Sequence, residues 1–157
     1  MTKSRRGEGY IQTCVFIVVF CMLLSAFISF ASAVQIVRLV ERNTKTVLES
    51  YVAENATAIY NAVKQGGNSM GDINGAAFLK DMTSFCTLEK EGESYYHRAV
   101  EGQIDYYLSD LTVGYAEDGK LKLCADYTLY VPIVFNGVRV GTARVPTTVR
   151  VDFSERF

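Results

Sequence analysis

The chain has 157 residues, of which 49 % are hydrophobic and 21 % are charged, and its formal net charge is −1. This length allows at most one soluble domain of ordinary size beside any membrane segment, and the near-neutral charge gives no electrostatic basis for binding nucleic acid. With one histidine, no phosphate-binding glycine loop and no recognisable acid–base pair, the sequence predicts a protein without enzymatic activity, cofactor or metal.

The first predicted element is a membrane-spanning helix that follows a basic tail at residues 1–9. An apolar run of about 28 residues, from Tyr10 to Val37, contains no Asp, Glu, Lys or Arg. As a helix this run would be ~42 Å long, whereas the hydrocarbon core of a bilayer is ~30 Å thick. The sequence therefore predicts one transmembrane helix over residues 10–37.

A cleavable signal peptide is the alternative to a permanent anchor, because Ala31-Ser32-Ala33 has the small residues of a cleavage site. Signal peptides have apolar regions of ~7–15 residues, which is shorter than this run, so an anchor is favoured. Basic residues flank both ends of the run, and the N-terminal cluster with Arg5 and Arg6 favours a cytoplasmic tail and an extracellular head. We therefore expect a single-pass protein of the cell membrane.

Helical periodicity continues beyond the membrane segment, over residues 38–66. No Gly or Pro interrupts the chain before Gly66-Gly67, where we expect the helix to stop. Apolar residues recur at spacings of three, four and seven, which is typical of one buried helix face. These residues are Val37, Val40, Val47, Tyr51, Ala58 and Ala62. The sequence therefore predicts a continuous helix from about Tyr10 to Gln65, whose outer half presents an apolar stripe.

The remaining chain, residues 67–157, is predicted to form a small α+β head. A short helix is expected over Gly75–Phe85, and Thr87–Gln103 is expected to be an irregular, charged connection. Three or four antiparallel strands follow, beginning near Leu111. The longest has its apolar residues at a period of two, so that one face is buried. These residues are Leu121, Leu123, Ala125, Tyr127, Leu129, Val131, Ile133 and Phe135.

Two turns and one irregularity are predicted within this sheet. Asp118-Gly119 and Asn136-Gly137 are typical of tight hairpin turns, because they tolerate a positive φ. In the last strand, from Val138 onward, the apolar residues change from even to odd positions. A change of phase indicates a β-bulge, which we place near Gly141 or Pro146. One face of the sheet needs a cover, and the outer half of the long helix is expected to provide it.

Small residues recur every four positions in the apolar helix, at Cys21, Ser25, Ser29 and Ala33. Such a ridge allows two membrane helices to approach closely, which makes it a candidate helix-packing face. The alternative is that the serines only bond to carbonyl groups of their own helix.

The head contains two cysteines and the only histidine. If the head is extracellular, a disulfide between Cys86 and Cys124 would be permitted, and two unrelated free thiols are the alternative. His97 has no neighbouring Cys pair in sequence, so metal binding and nucleophilic catalysis are both disfavoured, and we expect a surface loop histidine.

The N-terminal motif Arg5-Arg6-Gly7-Glu8-Gly9-Tyr10-Ile11-Gln12, followed by one apolar helix and a β-rich end, resembles type IV pilin-like proteins. More narrowly, the chain resembles the TadE-like minor pilins of tight-adherence pilus systems and their small relatives in Gram-positive bacteria. The C-terminal GTARVPTTVRVDF is also similar to the valine- and threonine-rich strand ending of that family.

The resemblance implies a pilin-like fold and a non-enzymatic, membrane-anchored subunit of a pilus or pilus-like secretion apparatus. In the family, a prepilin peptidase cuts after the glycine, and a glutamate at the fifth mature position pairs with a neighbouring subunit. Here the cut would follow Gly7, with Gly9 as the less favoured alternative cut site. Glu8 would become the first residue, and Gln12 would replace that glutamate by an uncharged amide. The implied partners are the peptidase, other pilin-like subunits and the assembly machinery.

Two other functions remain open from the residues alone. The chain could be a single-span extracellular sensor or adhesion module that never polymerises. It could also be a ligand-binding or small enzymatic domain that is secreted after cleavage at Ala33.

Overall fold

The chain forms an α+β structure with one very long helix, one short helix and an antiparallel sheet. The computed structural model describes residues 6–57, 75–99, 102–116, 122–135 and 137–152. Helix α1 spans Arg6–Glu54 and helix α2 spans Gly75–Phe85. The strands are β1 (Leu88–Glu91), β2 (Ser94–Arg98), β3 (Ile104–Ala116), β4 (Lys122–Phe135) and β5 (Val138–Asp152).

The strands pair in chain order, β1-β2-β3-β4-β5, as a five-stranded antiparallel meander. The predicted fold class is therefore confirmed, but the sheet has five strands where we expected three or four. The extra strands are β1 and β2, which lie in the segment Thr87–Gln103 that we predicted to be irregular.

The prediction for this segment was wrong because both strands are short and β1 is mostly charged. Strand β1 has the sequence LEKE and is exposed except at Leu88. Charged residues suit a short edge strand, since they discourage pairing with another chain. Gly92, with φ at +65°, forms the turn into β2. Arg98 of β2 then forms ion pairs with Glu89, at 3.1 Å, and with Glu91.

Helix α1 is about 74 Å long, and only its second half packs on the head. The predicted apolar stripe is confirmed at Val40, Val47 and Tyr51, which are buried. Leu48 and Thr44 are also buried, because they lie on the same helix face at the same periodicity. Helix α1 ends at Glu54, whereas we predicted a continuous helix to about Gln65. The predicted stripe residues beyond position 57 lie outside the described residues.

The buried hydroxyl of Thr44 is satisfied within the fold. Its Oγ1 donates to the Val40 carbonyl oxygen at 2.8 Å and shares a hydrogen bond with the Tyr127 hydroxyl at 3.3 Å. Burial raises the pKa of Tyr127 to about 12, which the hydrogen bond from Thr44 opposes. This contact joins the C-terminal part of α1 to the middle of β4.

Helix α2 has the predicted bounds and closes the core beside α1. Phe78 and Met82 lie one turn apart, and both are completely buried. The Phe78 ring meets the Tyr51 ring of α1 edge to face, with centroids 6.2 Å apart. Thr87, at φ 51°, then turns the chain into β1.

Strand β4 lies between β3 and β5 and contributes the largest share of the core. Its predicted apolar face is confirmed by the buried residues Leu123, Ala125, Tyr127, Leu129 and Val131. The same face of the sheet is covered by α1 and α2, as predicted for α1. The opposite face is open to solvent over most of its area.

The predicted bulge in β5 is confirmed near Gly141. Ile133 pairs with Gly141 and Val134 pairs with Arg139, so Val140 is an extra residue without a partner on β4. Pro146 lies in regular register. The turn residue Asn136 and the predicted turn at Asp118-Gly119 lie outside the described residues, whereas Gly137 has the expected positive φ of 78°.

Candidate functional site

The N-terminal half of α1 is exposed on all sides although it is almost entirely apolar. Between Tyr10 and Phe30, every large apolar side chain is at least 45 % exposed. A helix that is hydrophobic around its full circumference needs an apolar surrounding, which a bilayer supplies. This helix is long and apolar enough to cross a membrane, consistent with single-pass anchoring.

The exposed apolar surface of α1 ends well before the apolar sequence does. Ile36 and Val37 belong to the predicted transmembrane segment, but they are partly buried against the core of the head. After Phe30, the next exposed large apolar side chain of α1 is Leu39. One side of the last two turns of the apolar run is therefore covered by protein.

The head covers part of the candidate packing face, which consists of Cys21, Ser25, Ser29 and Ala33. Cys21 is exposed and Ser25 is half-buried, whereas Ala33 packs against the core. Ser29 Oγ lies 3.0 Å from the Ser25 carbonyl oxygen and 3.1 Å from the Val134 carbonyl oxygen of β4. Ser29 therefore forms the hydrogen bond to its own helix that we gave as the alternative to packing against a second helix. Only Cys21 and Ser25 remain open to a second helix.

The candidate processing site lies at the start of α1. Gly7 and Glu8 belong to its first turns, and Gln12 is exposed one turn later. Thr13 Oγ1 donates to the Gly9 carbonyl oxygen at 2.9 Å, which occupies its hydroxyl within the helix. A side-chain amide such as that of Gln12 can form hydrogen bonds between membrane helices without carrying a charge.

The cysteines of the head are free, which is the second of the two alternatives considered for Cys86 and Cys124. Cys86 lies in the core with its Sγ 3.8 Å from Met82 Sδ, and burial raises its pKa to about 11. Cys124 lies on the opposite face of the sheet and donates to the Gly114 carbonyl oxygen at 3.3 Å. A disulfide between them would have to pass through the sheet. Partial burial also raises the pKa of the Cys124 thiol, so both thiols are disfavoured as nucleophiles.

The open face of the sheet carries a row of aromatic side chains that sequence analysis did not identify. Tyr96, Tyr107 and Tyr130 stack across β2, β3 and β4, with centroids 5.1 Å and 4.6 Å apart. The Arg144 guanidinium lies over Tyr130, 5.9 Å from the ring centroid. These residues are direct partners in the register, and Glu89 continues the row onto β1. The strand β2 was missed, so the row was not predictable.

His97 is also placed differently from the prediction. It lies in β2 and is half-buried, with its ring stacked on Tyr106 at 4.8 Å. Its Nδ1 is 3.3 Å from Asp105 Oδ2, a contact that becomes an ion pair when the imidazole is protonated. His97 and Asp105 lie on the neighbouring strands β2 and β3, and a contact of two side chains is too small to form a metal site. Among the described residues, no three His, Cys, Asp or Glu side chains come together in a way that could hold a metal ion.

A shallow cleft of about 450 Å³ separates α1 from β5 just above the apolar run. Seven residues line the cleft, and four of them are cationic whereas one carries a carboxylate. They are Arg38, Glu41, Arg42, Lys45, Thr148, Val149 and Arg150. Lys45 also forms an ion pair with Glu49 at 4.0 Å. The excess of positive charge makes this cleft electrostatically suited to anionic groups.

No protein-family model, no curated protein and no solved structure matches this chain. The resemblance to TadE-like pilins therefore rests on the N-terminal motif, the order of elements and the C-terminal strand sequence alone.

Proposed function

We propose that the protein is a non-enzymatic, pilin-like subunit that is anchored in the membrane by α1 and takes part in assembly of a pilus or pilus-like secretion apparatus. The observation that carries this proposal is the division of α1 into two halves. The half up to about Phe30 is apolar and exposed, and the half after Ala33 forms the spine of the head. A helix of this kind can stay in a bilayer or pack against other such helices.

The glycine near the start of α1 supports the more specific TadE-like assignment. Gly7 follows Arg5-Arg6 and precedes Glu8 and the apolar run, so a peptidase at the cytoplasmic surface would meet it at the membrane boundary. Cleavage there would produce a subunit that begins at Glu8. The head would then lie on the far side of the membrane.

The first test is the N-terminal sequence of the protein purified from membranes of cells that express a prepilin peptidase. We expect the mature chain to begin at Glu8. Gly7→Leu should abolish this cleavage, because the bulky side chain occupies the position next to the cut bond. Gly9→Leu is the matched control and should be cleaved normally, since no other atom lies within 4 Å of a Cβ added at Gly9.

Two results of this test would contradict processing at Gly7. A chain that still begins at Met1 would identify a permanent anchor. A chain that begins at Val34 would show signal cleavage at Ala33 and a secreted head; that cut would divide α1 within the part that packs on the core.

The second test concerns helix packing in the membrane. The double variant Cys21→Leu with Ser25→Leu should weaken self-association in vesicles by about tenfold, because interfaces of small residues and polar contacts contribute ~1–2 kcal/mol between membrane helices. Energy transfer between differently labelled copies measures this association. Ser29 is left unchanged because it bonds to Val134.

The control for this test has the same spacing on a neighbouring face of α1. Met22→Leu with Ala26→Leu keeps the same four-residue interval and should leave association unchanged. Equal association in wild type and the Cys21/Ser25 variant would reject this packing face.

An anchored adhesion or sensor module is the second candidate, and the tyrosine row favours it. Tyr96, Tyr107 and Tyr130 form a continuous, partly exposed aromatic surface on the side of the sheet opposite α1. Stacked aromatic rings present broad flat surfaces for binding another molecule. A monomeric membrane protein with an unaltered N-terminus would support this candidate over assembly.

A further inference from the structure

The end of the β4–β5 hairpin reaches α1 inside the apolar run. The Val134 carbonyl oxygen of β4 accepts a hydrogen bond from Ser29 Oγ at 3.1 Å. Ser29 lies about eight residues before Val37, which is ~12 Å along the helix axis. The hairpin therefore points toward the membrane-spanning part of the chain.

The length of α1 before this contact equals one bilayer. From Tyr10 to Ser29 there are about 20 residues, which as a helix are ~30 Å long, the thickness of the hydrocarbon core. Phe30 is also the last exposed large apolar side chain of α1 before Leu39, because the head begins to cover the helix in this region. Both observations place the membrane boundary next to Ser29.

The hairpin itself cannot go deeper than this boundary. Strand β5 is an edge strand of the sheet, so part of its backbone has no partner strand. Unpaired backbone groups are too costly to place in hydrocarbon, where no water can bond to them. The hairpin end must therefore stop at the level of the lipid headgroups on the side of the head.

The residues at this end suit that position. Val138 and Val140 are 66 % and 69 % exposed, and they are the only exposed large apolar residues of the described sheet. Arg139 lies between them and is exposed. Apolar side chains beside a long basic side chain are typical of protein segments that lie in the membrane interface.

We propose that the tip of the β4–β5 hairpin, with Val138, Arg139 and Val140, is a second membrane contact that inserts into the headgroup region of the leaflet beside the head. The two valines would enter the boundary of the acyl chains, and Arg139 would meet lipid phosphates. This contact rests on anchoring by α1, and it holds the head in a fixed orientation relative to the bilayer. Val140 is the extra residue of the β-bulge and has no partner on β4, and its side chain is exposed.

Single tryptophans test this placement, because the natural chain contains no Trp. Three variants of the full chain are reconstituted in phosphatidylcholine vesicles: Val138→Trp at the tip, Thr112→Trp in β3, and Phe20→Trp in the membrane helix. Thr112 is the matched control, since it is an exposed β-branched residue whose partner, Asp126, lies about 30 Å from Phe135 along β4. Fluorescence is quenched by iodide in water or by brominated lipids.

We expect Val138→Trp to be quenched by lipids brominated near the headgroup and to be protected from iodide at least about threefold relative to Thr112→Trp. Phe20→Trp should respond only to lipids brominated deep in the chains. If Phe20→Trp responds in this way but Val138→Trp is as open to iodide as Thr112→Trp, the hairpin contact is wrong and anchoring stands.

Two other outcomes would also overturn the proposal. Protection of Val138→Trp from iodide without quenching by any brominated lipid would mean that a second copy of the chain covers the tip. Failure of deep lipids to quench Phe20→Trp would show that α1 does not lie in the bilayer, so the membrane anchoring of the proposed function would fail together with the hairpin contact.

Discussion

Replacing Phe78 with Ala should lower the free energy of unfolding of the head by about 3–5 kcal/mol. Phe78 is completely buried, and it is among the largest buried side chains of the protein. Its ring contacts Tyr51 of α1, so it joins the two helices above the sheet. Removing the ring leaves a cavity between elements that are held by other contacts and cannot close it.

Urea unfolding in detergent micelles, followed by the near-ultraviolet circular dichroism of the head tyrosines, measures this loss. Phe85→Ala is the matched control in the same helix, because Phe85 is 56 % exposed. We expect the control to change the free energy of unfolding by less than about 1 kcal/mol. Equal effects of the two substitutions would contradict the placement of α2 in the core.

The second large effect is expected in the membrane helix. Phe20→Asp combined with Leu24→Asp should disfavour membrane insertion by about 6–8 kcal/mol, since each exchange of an apolar residue for Asp at a helix centre costs ~3–4 kcal/mol. Both residues are exposed in the isolated chain, at 61 % and 45 %, so their replacement leaves the packing of the head unchanged. Resistance of the protein to alkaline extraction from membranes measures insertion.

A control for this variant places the same two charges on the second half of α1. Leu39 and Ala53 are both exposed, and both lie beyond Ser29, where we place the membrane boundary. Leu39→Asp with Ala53→Asp should therefore leave the protein in the membrane. Extraction of both double variants to the same degree would show that charge destabilises the chain in general, and that α1 has no distinct membrane half.

The two proposals together restrict how copies of this protein could pack. The hairpin tip meets α1 at Ser29, directly beside the open part of the packing face at Cys21 and Ser25. A second helix that packs there must lie beneath the hairpin tip, within the bilayer. The tyrosine row faces away from α1 and remains accessible in such an arrangement.

Some elements were predictable because one local pattern identifies them. The bounds of α2 follow from four apolar residues at helical spacing between turn-forming sequences. The buried face of β4 follows from strict alternation over more than ten residues, and the bulge in β5 follows from a single change of phase. In each case neighbouring residues carry all the information.

Other elements have no such local pattern. Strands β1 and β2 are only four and five residues long, and three of the four residues of β1 are charged. They are strands because β2 pairs with β3 and β1 pairs with β2. His97 was expected on a surface loop, but pairing with Tyr106 places it in this sheet. The tyrosine row joins residues from three strands, so no single segment of the sequence contains it.

The sequence by itself determined that the chain has one apolar helix long enough for a membrane and a small α+β head, because periodicity and length are local properties. Only the tertiary structure decided which residues of the long helix contact the head and which remain exposed. Ser29 belongs to a regular small-residue ridge in sequence, yet its hydroxyl bonds to the backbone of β4. Cys86 and Cys124 form a plausible pair in sequence, yet the sheet lies between them. Contacts between distant segments determine which side chains remain free for packing with another helix or for pairing with each other. Such contacts arise only when the helix packs on the sheet.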